Sequence, residues 1–271
     1  MSSTTADPAF NGIRYLPTNE AYDRWAAVYD TDGNFLQALD TEEMKTLFPR
    51  LLEAIQSPSP WKVVDLGCGT GRNTALLLTV PNVDTVVAVD ASQGMLEVAR
   101  QRLQQEPNHV QPARPALKLA QFDMLAPPPA AVLEQLQQAD AIISTLVVEH
   151  IPLPVFFGAV AQCLRPGGVL LLTNMHADMG SISQAGFVDT ESGEKIRPTS
   201  YAHTIAEVLE EAAKWGLTLE REDGEDGMRE RSVQDHMIER LGPRSRKWLG
   251  IRCWFGGLFR MADSPLEAGT A

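Results

Sequence analysis

The chain is poor in cysteine. Cys68, Cys163 and Cys253 are its three, far apart and odd in number. That excludes a disulfide framework and a zinc knuckle, and suits a reducing compartment. It also lacks any apolar run near the ~18 residues of a membrane-spanning helix. The opening MSSTTADPAF has neither the basic start nor the apolar centre of a secretory signal, so the cytoplasm is the expected location. Positive charge is scarce: 23 Lys and Arg stand against 35 Asp and Glu, a formal net charge of −12. Such a surface repels phosphate backbones and anionic lipid, so no nucleic acid and no membrane is expected as a partner. It does not oppose a cationic ligand. What is present is an ordinary globular mixture, 44% hydrophobic and 21% charged over 271 residues, enough for a core without staples.

Residues 1–19 read as a disordered tail and 20–60 as an N-terminal helical lid. Tyr22, Trp25, Ala26 and Tyr29 fall at i, i+3, i+4 and i+7, one aromatic stripe on a helix. Asp30–Asn34 interrupts it, and a second helix restarts with Thr41 as its expected N-cap and runs to Ile55. Residues 61–262 then alternate. Apolar strands are expected at Val63–Leu66, Thr85–Val89, Leu117–Phe122, Ala141–Val147 and Val169–Asn174, with helices between them. That alternation predicts an α/β fold, a Rossmann-like doubly wound parallel sheet covered on both faces. A cap insertion is expected near 177–203, after the fifth strand, with a turn at Glu191–Gly193. Beyond it come a helix at Thr204–Lys214, a sixth strand at Leu217–Glu220 and a charged loop at Arg221–Arg231. An amphipathic helix at Ser232–Trp248 and a last strand at Arg252–Met261 follow. Residues 263–271 read as a frayed tail.

The sharpest motif is VVDLGCGTGRNT, Val63–Thr74, which ends the first strand and opens a helix. Gly67, Gly69 and Gly71 let the backbone turn sharply and approach a ligand, with free N–H groups at the helix start. A plain tight turn is the alternative. The next strand ends at Asp90, 19 residues after Gly71, where an acid accepts from both ribose hydroxyls or else, like Ser92, caps the next helix. The third strand ends in AQFDML, where Asp123 is placed to accept from an exocyclic adenine amine and Phe122 or Met95 to pack on the ring. Arg72 stands where a dinucleotide fingerprint would need glycine, so the G-x-G-x-G spacing disfavours NAD.

Taken in order, DLGCGTGR, AVDAS with Met95, FDM, IISTLVVEHI and LRPGGVLLLTN resemble the class I S-adenosylmethionine-dependent methyltransferases. The likeness runs from Tyr22 to Asn174 and is nearest to the ubiquinone- and menaquinone-biosynthesis group. It implies a seven-stranded sheet with an antiparallel last strand and S-adenosylmethionine as cofactor, released as S-adenosylhomocysteine. It implies that Asp65 and Gly67–Gly71, Cys68 included, lie beside the methionine portion. Asp90 then takes the ribose, and Ala91, Ser92 and Met95 surround the adenosine. Phe122, Asp123 and Met124 border the adenine, and Thr145 and Leu146, with Val147, line the methyl-donor end. Tyr22, Trp25 and Tyr29 match the family's lid segment. The implied reaction is methyl transfer to an O or N atom of a small-molecule metabolite. A protein substrate, or binding of the cofactor without methylation, are the alternatives.

Methyl transfer needs alignment more than acid–base help: positioning is worth roughly 7–11 kcal/mol, against a factor of ~10²–10⁴ for a general base. His150 and His176, after the fourth and fifth strands, are the candidate catalytic residues, or structural histidines bonded to backbone. His203 is expected to order the turn before its helix, and Trp254 and Phe255 to be core. Glu149 beside His150 lacks a third ligand at metal spacing, so no metal is expected. Arg244, Arg246 and Lys247 read as a solvated face. Residues 181–200 and 221–252 match nothing in the family pattern and are the expected substrate cap.

Overall fold

Each central strand is apolar on both faces, which dictates where the layers go. In the computed structural model, which describes residues 12–105, 115–221 and 227–263, β2 (Trp61–Leu66), β3 (Val83–Asp90), β4 (Ala116–Gln121), β5 (Ala139–Thr145) and β6 (Leu164–Met175) pair in parallel. Their order is β4-β3-β2-β5-β6, with β11 (Arg252–Met261) antiparallel against β6. Side chains alternate across the sheet. Val63, Val86, Ile143 and Leu171 face one core, with Leu39, Leu47 and Leu51 of α2 (Phe35–Ala54) and with Trp254. Val64, Val87, Ile142 and Leu170 face the other, with Phe156 and Phe157 of α6 (Leu153–Cys163), Val208 of α8 (Ile205–Lys214), and Phe255 and Phe259. Trp254 and Phe255 are core, as expected.

The sheet has eight strands among the described residues, where seven were expected. β9 (Leu217–Leu219) and β10 (Arg229–Ser232) both pair antiparallel with β11, on the edge away from β6. β9 takes Phe259–Met261 and β10 takes Arg252–Gly256, so the two short strands share one lane end to end. β10 replaces the end of the expected Arg221–Arg231 loop; residues 222–226 lie outside the described residues. The expected Ser232–Trp248 helix is three short turns instead: a 3-10 turn at Asp235–Met237, α9 (Ile238–Leu241) and a 3-10 segment at Pro243–Trp248. Gly242 at φ 85°, followed by Pro243, breaks the run that the amphipathic pattern suggested.

The second helix of the lid has a different cap from the one read in the sequence. Asn34, not Thr41, caps α2: its side chain accepts from the N–H groups of Leu36 and Gln37 at 3.1 and 3.4 Å. Thr41 lies inside the helix, its hydroxyl on the Gln37 carbonyl at 2.8 Å. Residues 12–19 are not tail: β1 (Ile13–Tyr15) pairs with β8 (Lys195–Arg197), and α1 (Thr18–Trp25) has already begun. Residues 1–11 and 264–271 lie outside the described residues. β7 (Phe187–Val188) and β8 form a hairpin around the expected turn, so the cap and the N-terminal segment build one small sheet. Trp25 stacks on Phe187 there, ring centroids 4.9 Å apart, in a cluster with Leu16, Ala26, Met95 and Ile196. α1 is hooked to the main domain by Asp23, whose Oδ1 accepts from Gly94 N and Ser92 Oγ at 2.8 and 2.6 Å, at the start of α4 (Gln93–Gln105). No helix among the described residues is long and apolar enough to cross a membrane.

Candidate active site

The glycine turn after β2 is held by two backbone bonds, Gly67 N and Cys68 N to the Val89 carbonyl at 2.8 and 2.9 Å. Its glycines do different work. A Cβ on Gly67 would meet Val147 Cγ2 at 2.3 Å, so that position admits no side chain. Gly71, at φ 82°, caps α3 (Arg72–Leu77) and packs on Ala99 and Leu103. Gly69, at φ 53°, has nothing within 4 Å of where a Cβ would stand and borders an open cavity of about 390 Å³.

That cavity lies beyond the carboxyl ends of the strands, where ligands bind in open α/β sheets. Its wall gathers Gly67 and Gly69, Asp90–Ser92, Met95, Phe122–Met124, Thr145, Leu146 and His150, with Tyr22 and Tyr29 from the lid. Thirteen of the seventeen sequence-expected cofactor residues therefore meet there. Trp25, Asp65, Cys68 and Gly71 do not. Trp25 is turned into the lid–cap cluster, its Nε1 donating to Asp32 at 2.9 Å. Asp65 is buried behind the turn and accepts from Thr74 Oγ1 at 2.6 Å. Cys68 is buried against Ala88 and Leu96. Pro17, Thr18, Asn19 and Thr199 also line the cavity. They lie in segments read as tail and cap, and no motif marks them.

His176 does not reach the cavity, which corrects its candidacy as a catalytic residue. Its Nδ1 accepts from Asp178 N at 3.0 Å, capping α7 (Ala177–Ile182), and its Nε2 is 3.1 Å from Glu230 Oε2 of β10. The strand before it runs on to Met175, so the side chain emerges over the β10–β11 edge. His203 orders its turn as expected, through Ile151 O at 3.0 Å and stacking on Tyr201.

Burial sets the electrostatics. Asp90 Oδ2 accepts from Gly69 N at 2.8 Å and Oδ1 from Ser92 N at 2.9 Å, while burial still pushes its carboxyl up to about 6. Asp65 is likewise pushed up to about 6. Ser92 carries the helix-capping role, accepting from Met95 N at 3.0 Å. Asp123 Oδ1 accepts from Leu125 N at 2.8 Å, shaping the loop after β4. Thr145 Oγ1 accepts from Asn73 Nδ2 at 2.9 Å, and Leu146 sits in the left-handed region at φ 58°, a strained conformation for a branched side chain.

His150 is buried and its pKa lowered to about 4, so the ring is neutral at physiological pH. Its Nδ1 lies 2.7 Å from the Thr199 carbonyl, which only accepts, so Nδ1 carries the proton. Nε2 is then a bare lone pair, and Tyr22 O–H donates to it at 2.8 Å. One bond thus joins lid to sheet across the cavity wall.

The residues present fit S-adenosylmethionine. A glycine edge without side chains, a half-buried carboxylate and an apolar slot of Met95, Phe122 and Met124 line one cavity. The comparisons with known proteins agree. Residues 64–172 match the family model described as a methyltransferase domain. An uncharacterized methyltransferase of Emericella nidulans is 48% identical over 259 residues, covering 90% of this chain and 91% of that one. A trans-aconitate 2-methyltransferase of an Acidovorax species is 32% identical over 143 residues, 53% of this chain and 49% of that one. In structure, magnesium protoporphyrin IX methyltransferase from Synechocystis, with S-adenosylhomocysteine bound, superposes at a TM-score of 0.57. It covers 90% of this chain and 96% of that one at 14% identity, a likeness of fold. On the glycine turn, the cavity it borders and a relative matched along nearly its whole length, the chain belongs to the class I S-adenosylmethionine-dependent methyltransferases.

Proposed function

We propose that this methyltransferase methylates an O or N atom of a small molecule, chiefly by holding acceptor and donor in line. The bond from Tyr22 O–H to His150 Nε2 carries the reading, because it closes the lid over the cavity. A site recessed behind the lid suits a small acceptor, whereas a protein substrate needs a groove running along the surface. By name, the trans-aconitate 2-methyltransferases among the relatives also act on a small molecule.

S-adenosylmethionine supplies a methyl group already activated on its sulfonium. The chain's residues bind and align it. Asp90 accepts from the ribose hydroxyls through the lone pairs that Gly69 and Ser92 leave free. Phe122, Asp123 and Met124 hold the adenine, and Gly67, Gly69, Thr145 and Leu146 the methionine end. Trp25, Asp65, Cys68 and Gly71 support these from behind. His150 is a positioning residue here. Its lone pair is engaged by Tyr22, so it fixes the Tyr22 ring beside Leu146 rather than standing ready as a base.

The test is release of S-adenosylhomocysteine from S-adenosylmethionine with small O and N acceptors. His150→Ala should lower kcat ~10²-fold through misplacement of the lid, with cofactor affinity nearly unchanged. Tyr22→Phe should lose about as much, and the double variant little more than either single, since both break one bond. Additive losses would sink the positioning role. Absence of turnover with every acceptor class, despite tight cofactor binding, would favour a binder that does not methylate.

A further inference from the structure

Behind the lid tyrosines lies a second, smaller cavity of about 110 Å³. It shares Tyr22, Tyr29 and Leu146 with the first, so the two cavities adjoin at these three residues. Glu149 lines it. This side chain is 3% exposed, and its Oε2 has no hydrogen-bond partner. Gln184 Oε1 on the same wall is a second buried oxygen without a partner. A buried acceptor left unpaired is costly, more so when charged, and a ligand offering a donor removes that cost.

The rim has the opposite character. Lys195 of β8 and Arg244 and Lys247 of the 3-10 segment all line this cavity, three cations at one mouth of a chain with net charge −12. Asp32 stands among them but is engaged: Oδ2 accepts from Trp25 Nε1 at 2.9 Å, Oδ1 from Asn34 N at 3.0 Å, and Arg244 NH1 is 3.7 Å from Oδ2. Lys195 and Lys247 have no carboxylate partner among the described residues; Lys247 Nζ rests 5.0 Å over the Trp248 ring. A cationic rim with two lysines free of carboxylate partners, over a buried acceptor, selects a ligand with an anion at one end and a proton donor at the other.

We propose that this cavity is the acceptor pocket and takes a small organic anion carrying a protic O–H or N–H group, with Glu149 on the protic group and Lys195, Arg244 and Lys247 on the anion. The proposal rests on the methyl-transfer reading above. In the step, a lone pair of the acceptor O or N forms a bond to the methyl carbon. The S–CH₃ bond breaks with its pair returning to sulfur, leaving S-adenosylhomocysteine, and the acceptor's proton passes to the Glu149 carboxylate. Burial pushes that carboxyl up to about 7, which suits it to take a proton near neutrality.

The experiment is calorimetry on the full chain saturated with S-adenosylhomocysteine, titrated with malate, salicylate and glycine, and with their neutral amides. At least one acid should bind, its amide at least tenfold more weakly, and malate and salicylate against glycine tell a hydroxyl from an amine. The double variant Lys195→Glu/Lys247→Glu alters two exposed side chains. It should weaken the acid at least tenfold and leave S-adenosylhomocysteine affinity unchanged. Glu149→Gln should weaken salicylate more than benzoate, which lacks the hydroxyl. No binding by any acid, equal binding of acids and amides, or indifference to the charge reversal would overturn the proposal while the methyl-transfer reading stands. Failure of S-adenosylhomocysteine itself to bind would overturn both.

Discussion

Asp90 and Glu149 are carboxylates of two neighbouring regions, both at the carboxyl ends of sheet strands, Asp90 half-buried and Glu149 buried, and their surroundings differ. Asp90 has its oxygens met by backbone N–H groups of its own βα units, Gly69 and Ser92. Glu149 keeps one oxygen without a partner, and the segments around it come from α1, the β7–β8 hairpin and Pro243–Trp248. The glycine-turn side is completed by local sequence. The cap side is assembled from distant pieces and leaves polar atoms open.

The comparison breaks most sharply at Gly69. Gly69→Val would place a branched side chain in the cavity at φ 53°. S-adenosylhomocysteine affinity should fall more than ~100-fold, about 2.7 kcal/mol, with far-ultraviolet circular dichroism unchanged. Near wild-type affinity by calorimetry would mean that the turn does not face the cofactor.

Glu149→Gln probes the other region through pH. Glu149 is raised from its ordinary 4.5 to about 7 by burial, so between those values the folded chain holds a proton that the unfolded chain has lost. Stability from this group therefore falls as pH rises across that window, and the whole penalty is present above it. Removing the carboxylate should flatten the dependence, shrinking the loss between pH 5 and pH 8 by on the order of 2 kcal/mol in urea denaturation. A slope identical to wild type would show that Glu149 has a partner after all.

The smallest of the three effects is at Asp90. Asp90→Ala should weaken S-adenosylhomocysteine binding at least about tenfold, roughly 1.4 kcal/mol, since the turn keeps its shape through Gly67 and Cys68 while losing the acceptor. Unchanged affinity would return Asp90 to the helix-capping alternative and erase the contrast with Glu149.

Most of the main domain was legible in the chain because its signals are local. Five apolar runs between helices fix a parallel sheet, and the spacing of Gly67, Gly69, Gly71, Asp90 and Asp123 places those residues at successive strand ends. Period alone could not show that β9 and β10 share one lane, that Asn34 rather than Thr41 caps α2, or that Gly242 breaks an amphipathic run. Each depends on which partner a segment meets. The same limit explains His176: its position after the fifth strand suggested the cavity, but the strand's extra length and the β10 edge carried it elsewhere. Trp25 fell on the right helical stripe, and only its stacking on Phe187 decided that it supports the wall instead of forming it. The sequence by itself determined the fold class and the cofactor half, since backbone turns and strand ends are written in neighbouring residues. Tertiary structure decided the second cavity, because Glu149, Lys195, Arg244 and Lys247 share no periodicity and meet only when cap, lid and the segment after α9 close around one space.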